Sequence, residues 1–305
     1  MTDLMNTANT PDSLPRITAE PLVHEFSRHL PPRATIVSGD RLLVESEDAL
    51  SGQIAGPGDQ RDKSLVPKSN PVNGPIEIKG AEPGDVLSVT IHSIEPWRPQ
   101  AATYTGAPKQ LCEWLGTDVP PGGHVCRIAD GLIHWDDRIT IPYTPMLGCI
   151  GTAPEWGVPT TGPGGPHGGN MDIRETAPGA TVHLPVFVPG GQLFLGDAHA
   201  AMGHGELSAT GLEMSAVTEI SVELRKAQSL SWPRIENENE IMTVTSGAPA
   251  ERSIARAYAE LILWMEADFG WNRWKAYDLL THVGEISVGY YDGGSIAAKV
   301  RREFL

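Results

Sequence analysis

Glycine and proline recur along most of this chain, with 33 glycines and 26 prolines among 305 residues. Both residues interrupt regular secondary structure, and together they exceed the share of about 12% that is usual in globular proteins. This spacing leaves room for short strands joined by tight turns and excludes long helices from most of the chain. The sequence therefore predicts a mostly β protein.

Short apolar runs bounded by Gly, Pro and Asp mark the predicted strands. In the first half they include Arg41–Val44, Ile76–Lys79 and Val86–Ile91, and the third follows a Glu-Pro-Gly-Asp turn. In the second half they are 181–188, 218–224 and 240–245. The last two runs alternate apolar and polar residues, so we expect them to be half-buried and antiparallel.

Pro185 lies within the run 181–188. Proline has no N–H to donate to a neighbouring strand, so it predicts that this run lies at a sheet edge or contains a bulge.

Helix is expected only in the last fifth of the chain. Apolar residues from Ile254 to Met265 recur on one face of a helix that ends near Gly270. A second helix is expected from Asn272, a candidate N-cap, to about His282. Strands followed by helices predict a β-rich body with a smaller α+β portion at the C-terminus.

The domain organisation follows from these patterns. Residues 1–20 are polar and lack periodicity, which predicts a flexible leader. We expect residues 21–228 to form the β-rich domain that carries the site. Residues 229–305 are expected to form the α+β portion packed on it.

The charge and the cysteines restrict the partners and the compartment. With 23 Lys and Arg against 38 Asp and Glu, the net charge is −15, which argues against a nucleic-acid partner. The sequence has no apolar run of about 18 residues and no secretory signal pattern, so we expect neither a membrane span nor export. Three cysteines without CxxC spacing indicate a reducing cytoplasm.

The densest polar cluster is the segment 195–206, which contains Asp197, His199, His204 and Glu206 among glycines. In an extended strand Asp197 and His199 share one face and could both reach one cation. Flanking glycines would let Glu206 return to the same pocket. Carboxylate and imidazole ligands suit zinc or a similar divalent ion, with a carboxylate left as general base. The alternative is a glycine-rich turn with solvated histidines.

A second group of polar residues lies in the Gly/Pro-rich segment 157–170 and directly after it. This segment is either an ordered loop or a hinge, and composition does not decide between them. His167 supplies a further imidazole, Asn170 could donate to an oxyanion, and Asp172 could be a further ligand or base. Asx turns are the alternative. Asp40 and Asp48 are expected to be simple turn residues on these grounds alone.

Other catalytic patterns are weak or missing. The sequence lacks GxxxxGK[ST], GxSxG and GxGxxG, which removes the usual support for phosphate-loop, serine-hydrolase and dinucleotide sites. Gly293-Gly-Ser295 has no partnering lysine nearby, which argues against a Ser-Ser-Lys amidase. Cys149 lies in an apolar run, where a buried, inert thiol is the commoner outcome.

Six stretches in the same order carry a resemblance that extends from about Val23 to Leu305. Through them the chain resembles the acetamidase/formamidase family of metal-dependent amide hydrolases. The stretches are 48–54, 70–76, 80–87, 145–154, 167–172 and 196–206.

The resemblance implies a CUB-like β-sandwich with a smaller α+β portion, and hydrolysis of a short amide such as formamide or acetamide. It implies a divalent ion, with zinc preferred and calcium as the alternative, held by Asp172, Asp197 and His199. Glu206 would then be the general base, and His167 and Asn170 would stabilise the oxyanion. Asp40 and Asp48 join the expected site only through the resemblance, and His204 of the segment 195–206 is a further candidate member of it. A homo-oligomer is also expected.

Two residues depart from the family pattern, namely His204, where the family prefers Asp, and Cys149, where it prefers an aliphatic residue. Two alternative functions stay open. One is a larger or cyclic amide as substrate, and the other is a binding module that holds a ligand through the cation without turnover. A surplus of carboxylates over what one ion needs favours catalysis.

Overall fold

The computed structural model describes residues 14–104, 109–120 and 122–305. Within these ranges the chain is mostly β, as the spacing of glycine and proline predicts, and its strands form two large sheets. The strands are β1 (Arg16–Ile17), β2 (Ala34–Ile36), β3 (Arg41–Ser46), β4 (Val72–Ile78), β5 (Val86–Pro96), β6 (Gln100–Tyr104), β7 (Gly123–Ala129), β8 (Leu132–His134), β9 (Thr140–Pro142), β10 (Met146–Thr152), β11 (Gly164–Gly165), β12 (Gly168–Asn170), β13 (Thr181–Pro185), β14 (Leu193–His199), β15 (Glu213–Met214), β16 (Ala216–Arg225), β17 (Arg234–Glu236), β18 (Glu240–Thr245), β19 (Glu285–Val288) and β20 (Ile296–Arg301). The helices are α1 (Lys109–Leu115), α2 (Ala250–Phe269) and α3 (Arg273–Val283), and a 3-10 turn follows at Arg302–Phe304.

The first sheet has the strand order β1-β3-β16-β5-β13-β17-β18-β20-β19. All of its neighbouring strands are antiparallel except β1 and β3. The strands β17 to β20 of the C-terminal portion continue the sheet directly from β13. Residues 229–305 are therefore joined to the rest by backbone hydrogen bonds as well as by packing.

The second sheet has the order β11-β12-β10-β14-β15-β6-β7-β8-β9, with β4 and β2 branching from β14. Strand β14 pairs with β10 along one side, and with β4 and then β15 along the other. The strand that carries Asp197 and His199 is thus central in this sheet, and all seven of its residues are buried.

One apolar core is shared by the two sheets. Val89 and Ile91 contribute to it from the first sheet, and Leu147, Ile150 and Leu195 contribute from the second. All five side chains are at most 1% exposed, and each stabilises the fold by about 1.5–3 kcal/mol relative to an exposed position. This shared core fixes the second sheet, and so the site, against the first.

The two C-terminal helices follow the sequence pattern. Helix α2 ends at Gly270, whose φ of 70° is left-handed, as a helix C-terminus often requires. Helix α3 begins after Asn272, whose side chain accepts hydrogen bonds from the backbone of Trp274 and Lys275. Helix α2 packs on β18 and β20, α3 packs against α2, and Leu261 belongs to the apolar cluster that these elements share.

Several sequence predictions are wrong. Strand β13 is interior, between β5 and β17, and Pro185 is tolerated because it is the last residue of the strand. Strand β18 is buried along nearly its whole length, because α2 covers the face that was expected to meet solvent. Helices were expected only in the C-terminal fifth of the chain, but helix α1 lies in the first half.

The predicted leader 1–20 is described only from residue 14 onward, and residues 1–13 lie outside the described residues. Arg16 and Ile17 form β1, which pairs with Leu43 and Val44 of β3, so this part of the leader is a strand. The Gly/Pro-rich segment 157–170 is ordered and contains the hairpin of β11 and β12. None of the helices described is long and apolar enough to cross a membrane.

Candidate metal centre

The site begins with a pair of residues on neighbouring strands. His199 of β14 lies opposite Glu213 of β15 in the register, and Nε2 of His199 is 3.3 Å from Oε2 of Glu213. Both side chains are at most 2% exposed. Glu213 was not among the predicted site residues. The signal for it is modest, since it is an acidic residue between two apolar ones, Leu212 and Met214.

Asp197 approaches the same imidazole along β14. Its Oδ1 is 3.7 Å from Nε2 of His199, and it is 1% exposed. The φ of Asp197 is 57°, which is left-handed, so this part of the strand is not regularly extended. The side chains of Asp197 and His199 nevertheless converge.

Asp172 reaches the cluster from the segment after β12, where its N–H donates to the carbonyl of Gly148 at 3.2 Å. Gly148 itself has no room for a side chain. A Cβ placed there would lie 2.5 Å from Oδ2 of Asp197 and 2.6 Å from Oδ1 of Asp172. The two carboxylates therefore occupy the space that any other residue at position 148 would fill.

Glu206 reaches the cluster from a loop held by the C-terminal portion. The N–H of Gly205 donates to the carbonyl of Val288, and the N–H of Tyr291 donates to the carbonyl of Gly205. Glu206 has a left-handed φ of 44° and is 7% exposed. The hydrogen bonds of this loop to the C-terminal portion place Glu206 in the cluster. The sequence around Glu206 does not by itself determine this position.

Five buried residues thus form what we call the acidic cluster. In each of two overlapping groups, one ligand atom per residue lies within 4.8 Å of the others. His199 belongs to both groups. The groups are Asp172, Asp197 and His199, and His199, Glu206 and Glu213.

The electrostatics of the acidic cluster are unfavourable without a cation. Burial, reinforced by the carboxylate of Asp197, raises the pKa of Asp172 to about 8. Burial, reinforced by Asp172, raises the pKa of Glu206 to about 10, and burial also raises the pKa of Glu213. Burial opposes protonation of His199, yet the carboxylates of Glu213 and Asp197 raise its pKa well above the ordinary value. Four carboxylates this close favour a positive charge among them.

Unpaired polar atoms support the same conclusion. Within the described residues, these buried atoms have no hydrogen-bond partner: both oxygens of Asp172, Oδ1 of Asp197, both ring nitrogens of His199 and Oε2 of Glu213. Leaving such groups unsatisfied costs about 1–3 kcal/mol each, and more for charged groups. Oxygen and imidazole nitrogen are ligands of divalent ions, so the residues present fit a metal site. His199 belongs to both groups, but its Nε2 has one lone pair and can therefore bind only one ion.

A second layer of residues lies behind Asp197. Asn70 donates from Nδ2 to Oδ2 of Asp197 at 3.1 Å and lies 3.4 Å from Oδ1 of Asn170. The thiol of Cys149 donates to Oδ1 of Asn170 at 3.0 Å, and its sulfur is 3.5 Å from Oδ2 of Asp197. Asn170 is therefore beside the acidic cluster. Burial raises the pKa of Cys149 well above its ordinary value, which makes a thiolate nucleophile unfavourable.

His167 lies in a different environment. Its ring packs edge-on against Phe26, with the ring centroids 5.0 Å apart, and burial lowers its pKa to about 4. Its Nε2 has no hydrogen-bond partner in the part of the chain that the structure describes. No contact of those described joins it to the acidic cluster.

The three remaining predicted residues lie outside the acidic cluster. Asp40 accepts from the N–H of Val37 in the turn before β3, at the end of that strand remote from Ser46. Asp48 is buried and accepts from the N–H groups of Leu50 and Gly52, and burial raises its pKa to about 7. His204 is exposed. Asp40 and Asp48 thus have the turn geometry that their sequence context alone suggests.

A cavity of about 610 Å³ lies beside the acidic cluster. Glu206 lines it, whereas Asp172, Asp197, His199 and Glu213 do not. Its walls are mainly apolar and include Trp135, Ile141, Met202 and Leu212, and His204 and Arg174 also line it. Glu206 therefore separates a solvent-connected cavity from the buried ligand atoms.

Comparison with known proteins agrees with these features. Residues 14–161 and 150–287 match the Acetamidase/Formamidase family. The formamidase of Methylophilus methylotrophus is 29% identical over an alignment of 255 residues, and the match covers 65% of this chain and 62% of that protein. The acetamidase of Mycolicibacterium smegmatis is 27% identical over an alignment of 261 residues, and the match covers 65% of this chain and 64% of that protein. The chain thus matches less than two thirds of the length of these curated relatives.

The solved structure of acetamidase from Yersinia enterocolitica is similar along nearly the whole chain. The two share 35% sequence identity, and the superposition covers 95% of this chain and 92% of that one with a TM-score of 0.89. The chain belongs to the acetamidase/formamidase family.

Proposed function

We propose that this chain hydrolyses short-chain amides of the formamide or acetamide type to a carboxylate and ammonia, using a divalent cation. The observation that carries the proposal is the acidic cluster, with its unpaired buried ligand atoms, at the wall of a cavity. The names of the related formamidase and acetamidase support the choice of substrate.

The cation would be held by Asp172, Asp197 and His199, and Glu213 adds a fourth group that the sequence did not predict. Zinc is our first choice because an imidazole is among the ligands, and calcium is the alternative because carboxylates predominate. When bound, such an ion supplies Lewis acidity, which polarises a carbonyl group and makes water more acidic.

Glu206 is the proposed general base. It alone among the five residues of the acidic cluster lines the cavity, so it can meet both a water molecule and an amide that enters from there. A nearby positive charge favours its carboxylate form. Glu206 takes a proton from the attacking water and delivers a proton to the amide nitrogen, which then leaves as neutral ammonia.

Asn170 is the proposed donor to the developing oxyanion. Its Oδ1 accepts from Cys149 and lies near Asn70, which leaves Nδ2 to donate elsewhere. A donor of this kind contributes about 2.7–4 kcal/mol to stabilising the transition state. We assign no step to His167, because its ring packs against Phe26.

A larger amide is the second candidate substrate, and the cavity favours it. A volume of about 610 Å³ lies within the range of roughly 300–1,000 Å³ that is typical of sites for drug-sized ligands. Acetamide, with four heavy atoms, occupies only a small part of this space. Apolar walls at Trp135 and Ile141 suit an acyl group with an aliphatic or aromatic chain.

Ammonia release from formamide, acetamide and 3-phenylpropionamide tests the proposal. We expect ammonia release from formamide and acetamide. The ratio of kcat/KM for 3-phenylpropionamide to that for acetamide shows whether the longer acyl chain improves the reaction. Release from 3-phenylpropionamide alone would favour the larger substrate. A metal-loaded protein that releases no ammonia from any of them would contradict the proposal and favour the binding module.

We also propose the finer points of cellular context. Three free cysteines support a reducing compartment such as the cytoplasm, and family membership supports a homo-oligomer. We further propose two parts of the chain, residues 21–228, which carry all five residues of the acidic cluster, and residues 229–305, which pack on them. Size-exclusion chromatography with light scattering tests the oligomer, and a monomer would contradict it.

A further inference from the structure

Asn70 comes from the segment before β4, far from Asp197 in sequence. Its own N–H donates to the carbonyl of Ala49 at 3.1 Å, which holds its backbone in place. From there its Nδ2 donates to Oδ2 of Asp197 at 3.1 Å and lies 3.4 Å from Oδ1 of Asn170. One side-chain amide thus contacts both a proposed metal ligand and the proposed oxyanion donor.

Cys149 approaches the same two side chains from β10. It is fully buried, and its Sγ lies 3.0 Å from Oδ1 of Asn170 and 3.5 Å from Oδ2 of Asp197. The carbonyl of Thr161 is a third acceptor at 3.4 Å, but a thiol has one hydrogen to donate, and the shortest contact is the one to Asn170. Cys149 and Asn70 therefore surround the same pair of oxygen atoms.

These contacts give the two terminal atoms of the Asp197 carboxylate, and likewise those of the Asn170 carboxamide, different surroundings. In Asp197, Oδ2 accepts from Asn70, whereas Oδ1 has no partner within the described residues and lies 3.7 Å from Nε2 of His199. In Asn170, Oδ1 faces the two donors. Oxygen and nitrogen branch in different directions from the carbon of a carboxamide, so Nδ2 points away from both donors.

We propose that Asn70 and Cys149 are positioning residues: Asn70 turns Oδ1 of Asp197 toward the cation, and Cys149 with Asn70 turns Nδ2 of Asn170 toward the substrate. This inference rests on the proposed function for the role of Asn170, but the part that concerns Asp197 needs only the metal. Partners that orient metal ligands typically contribute about 10–100-fold to metal affinity or activity.

Metal affinity tests the role of Asn70 independently of turnover. We expect Asn70→Ala to raise the dissociation constant for Zn²⁺, measured by competition with a chromophoric chelator, by about 10–100-fold. Asn73→Ala is the matched control, because Asn73 is a fully buried amide in the same segment that donates to the backbone carbonyls of Thr18 and Glu45. This control should lower the melting temperature and leave the Zn²⁺ dissociation constant within about threefold of the wild-type value.

Equal Zn²⁺ dissociation constants for Asn70→Ala and the wild type would overturn the role of Asn70. A loss of affinity in Asn70→Ala no greater than that in Asn73→Ala would do the same, because it would indicate a general loss of structure. If Asn73→Ala does not fold, the wild type and its melting curve supply the reference.

Cys149 is tested by a pair of variants that differ in one donor. Cys149→Ser keeps a hydrogen for Oδ1 of Asn170, whereas Cys149→Ala removes it. We expect Cys149→Ala to lower kcat about 10-fold at saturating metal, and Cys149→Ser to stay within about threefold of the wild type. Equal kcat in the two variants would overturn the role of Cys149.

The failure of this inference differs from the failure of the proposed function. A wild-type protein that releases no ammonia removes the function, and with it the roles of Asn170 and Cys149. The Zn²⁺ dissociation constant of Asn70→Ala still reports on the orientation of Asp197 in that case.

Discussion

His199 and Glu213 face each other across β14 and β15, with Nε2 of the imidazole 3.3 Å from Oε2 of the carboxylate. Both oxygens of Asp172 and Oδ1 of Asp197 are unpaired within the described residues, so the acidic cluster has the ligand atoms that fit a divalent cation.

His199→Ala should remove the bound metal, because the only nitrogen ligand of the acidic cluster is lost and four carboxylates are left. Elemental analysis of the purified variant checks this. His204→Ala is the control, since His204 is exposed and outside the cluster, and it should keep its metal. A full metal content in His199→Ala would show that the ligand assignment is wrong.

Glu206→Gln should keep the metal and lose turnover. The amide has nearly the shape of the carboxylate but does not accept the proton of water, and general base catalysis contributes about 10²–10⁴-fold. Ammonia release at saturating formamide measures the loss. Activity within about 10-fold of the wild type would remove Glu206 as the base.

Gly148→Ala should destabilise the protein by about 1–3 kcal/mol, because its Cβ would lie 2.5 Å from Oδ2 of Asp197. It should also weaken metal binding by displacing that carboxylate. Urea unfolding and a Zn²⁺ titration check the two effects. Gly203→Ala, whose Cβ would meet no atom within 4 Å, is the control and should change neither.

Metal-free protein should become less stable as pH rises. Its folded state has a pKa of about 8 for Asp172, whose ordinary value is 3.8, and a pKa of about 10 for Glu206, whose ordinary value is 4.5. The folded chain therefore binds protons more tightly than the unfolded chain. The resulting stability is fully present below the ordinary pKa values and is lost as pH rises through the folded values.

The measurement for this pH dependence is the melting temperature with and without chelator, from about pH 5 to about pH 9. We expect the chelated protein to lose stability steadily over this range, and the metal-loaded protein to change much less. Parallel curves for the two forms would contradict the placement of the cation among these carboxylates.

The sequence predicts site residues well when they are close together in the chain. Asp197, His199 and Glu206 occur in one short segment, and Asp197 reaches the imidazole of His199 even though its left-handed φ interrupts the regular strand. Glu213 and Asn70 were missed because each reaches the site through tertiary structure. The register of β14 with β15 delivers Glu213, and a loop 127 residues away delivers Asn70.

The same distinction applies to the fold. Helices α2 and α3 were predicted because an apolar face and a capping Asn272 are local signals. Helix α1 was missed because it has seven residues, with no acidic residue in its first turn and no basic residue in its last. Pro185 led to a wrong prediction of an edge strand or a bulge. Its effect depends on whether it ends a strand or interrupts one, and only the pairing of β13 decides this.

The central claim is that the acidic cluster holds a divalent cation on which amide hydrolysis depends. The most direct test measures ammonia release from formamide and acetamide together with the metal content, before chelation, after chelation, and after return of Zn²⁺ or Ca²⁺. We predict that activity falls with the metal and returns with one of the two ions, at a content near one ion per chain. Undiminished ammonia release from protein that elemental analysis shows to be free of metal would contradict the claim.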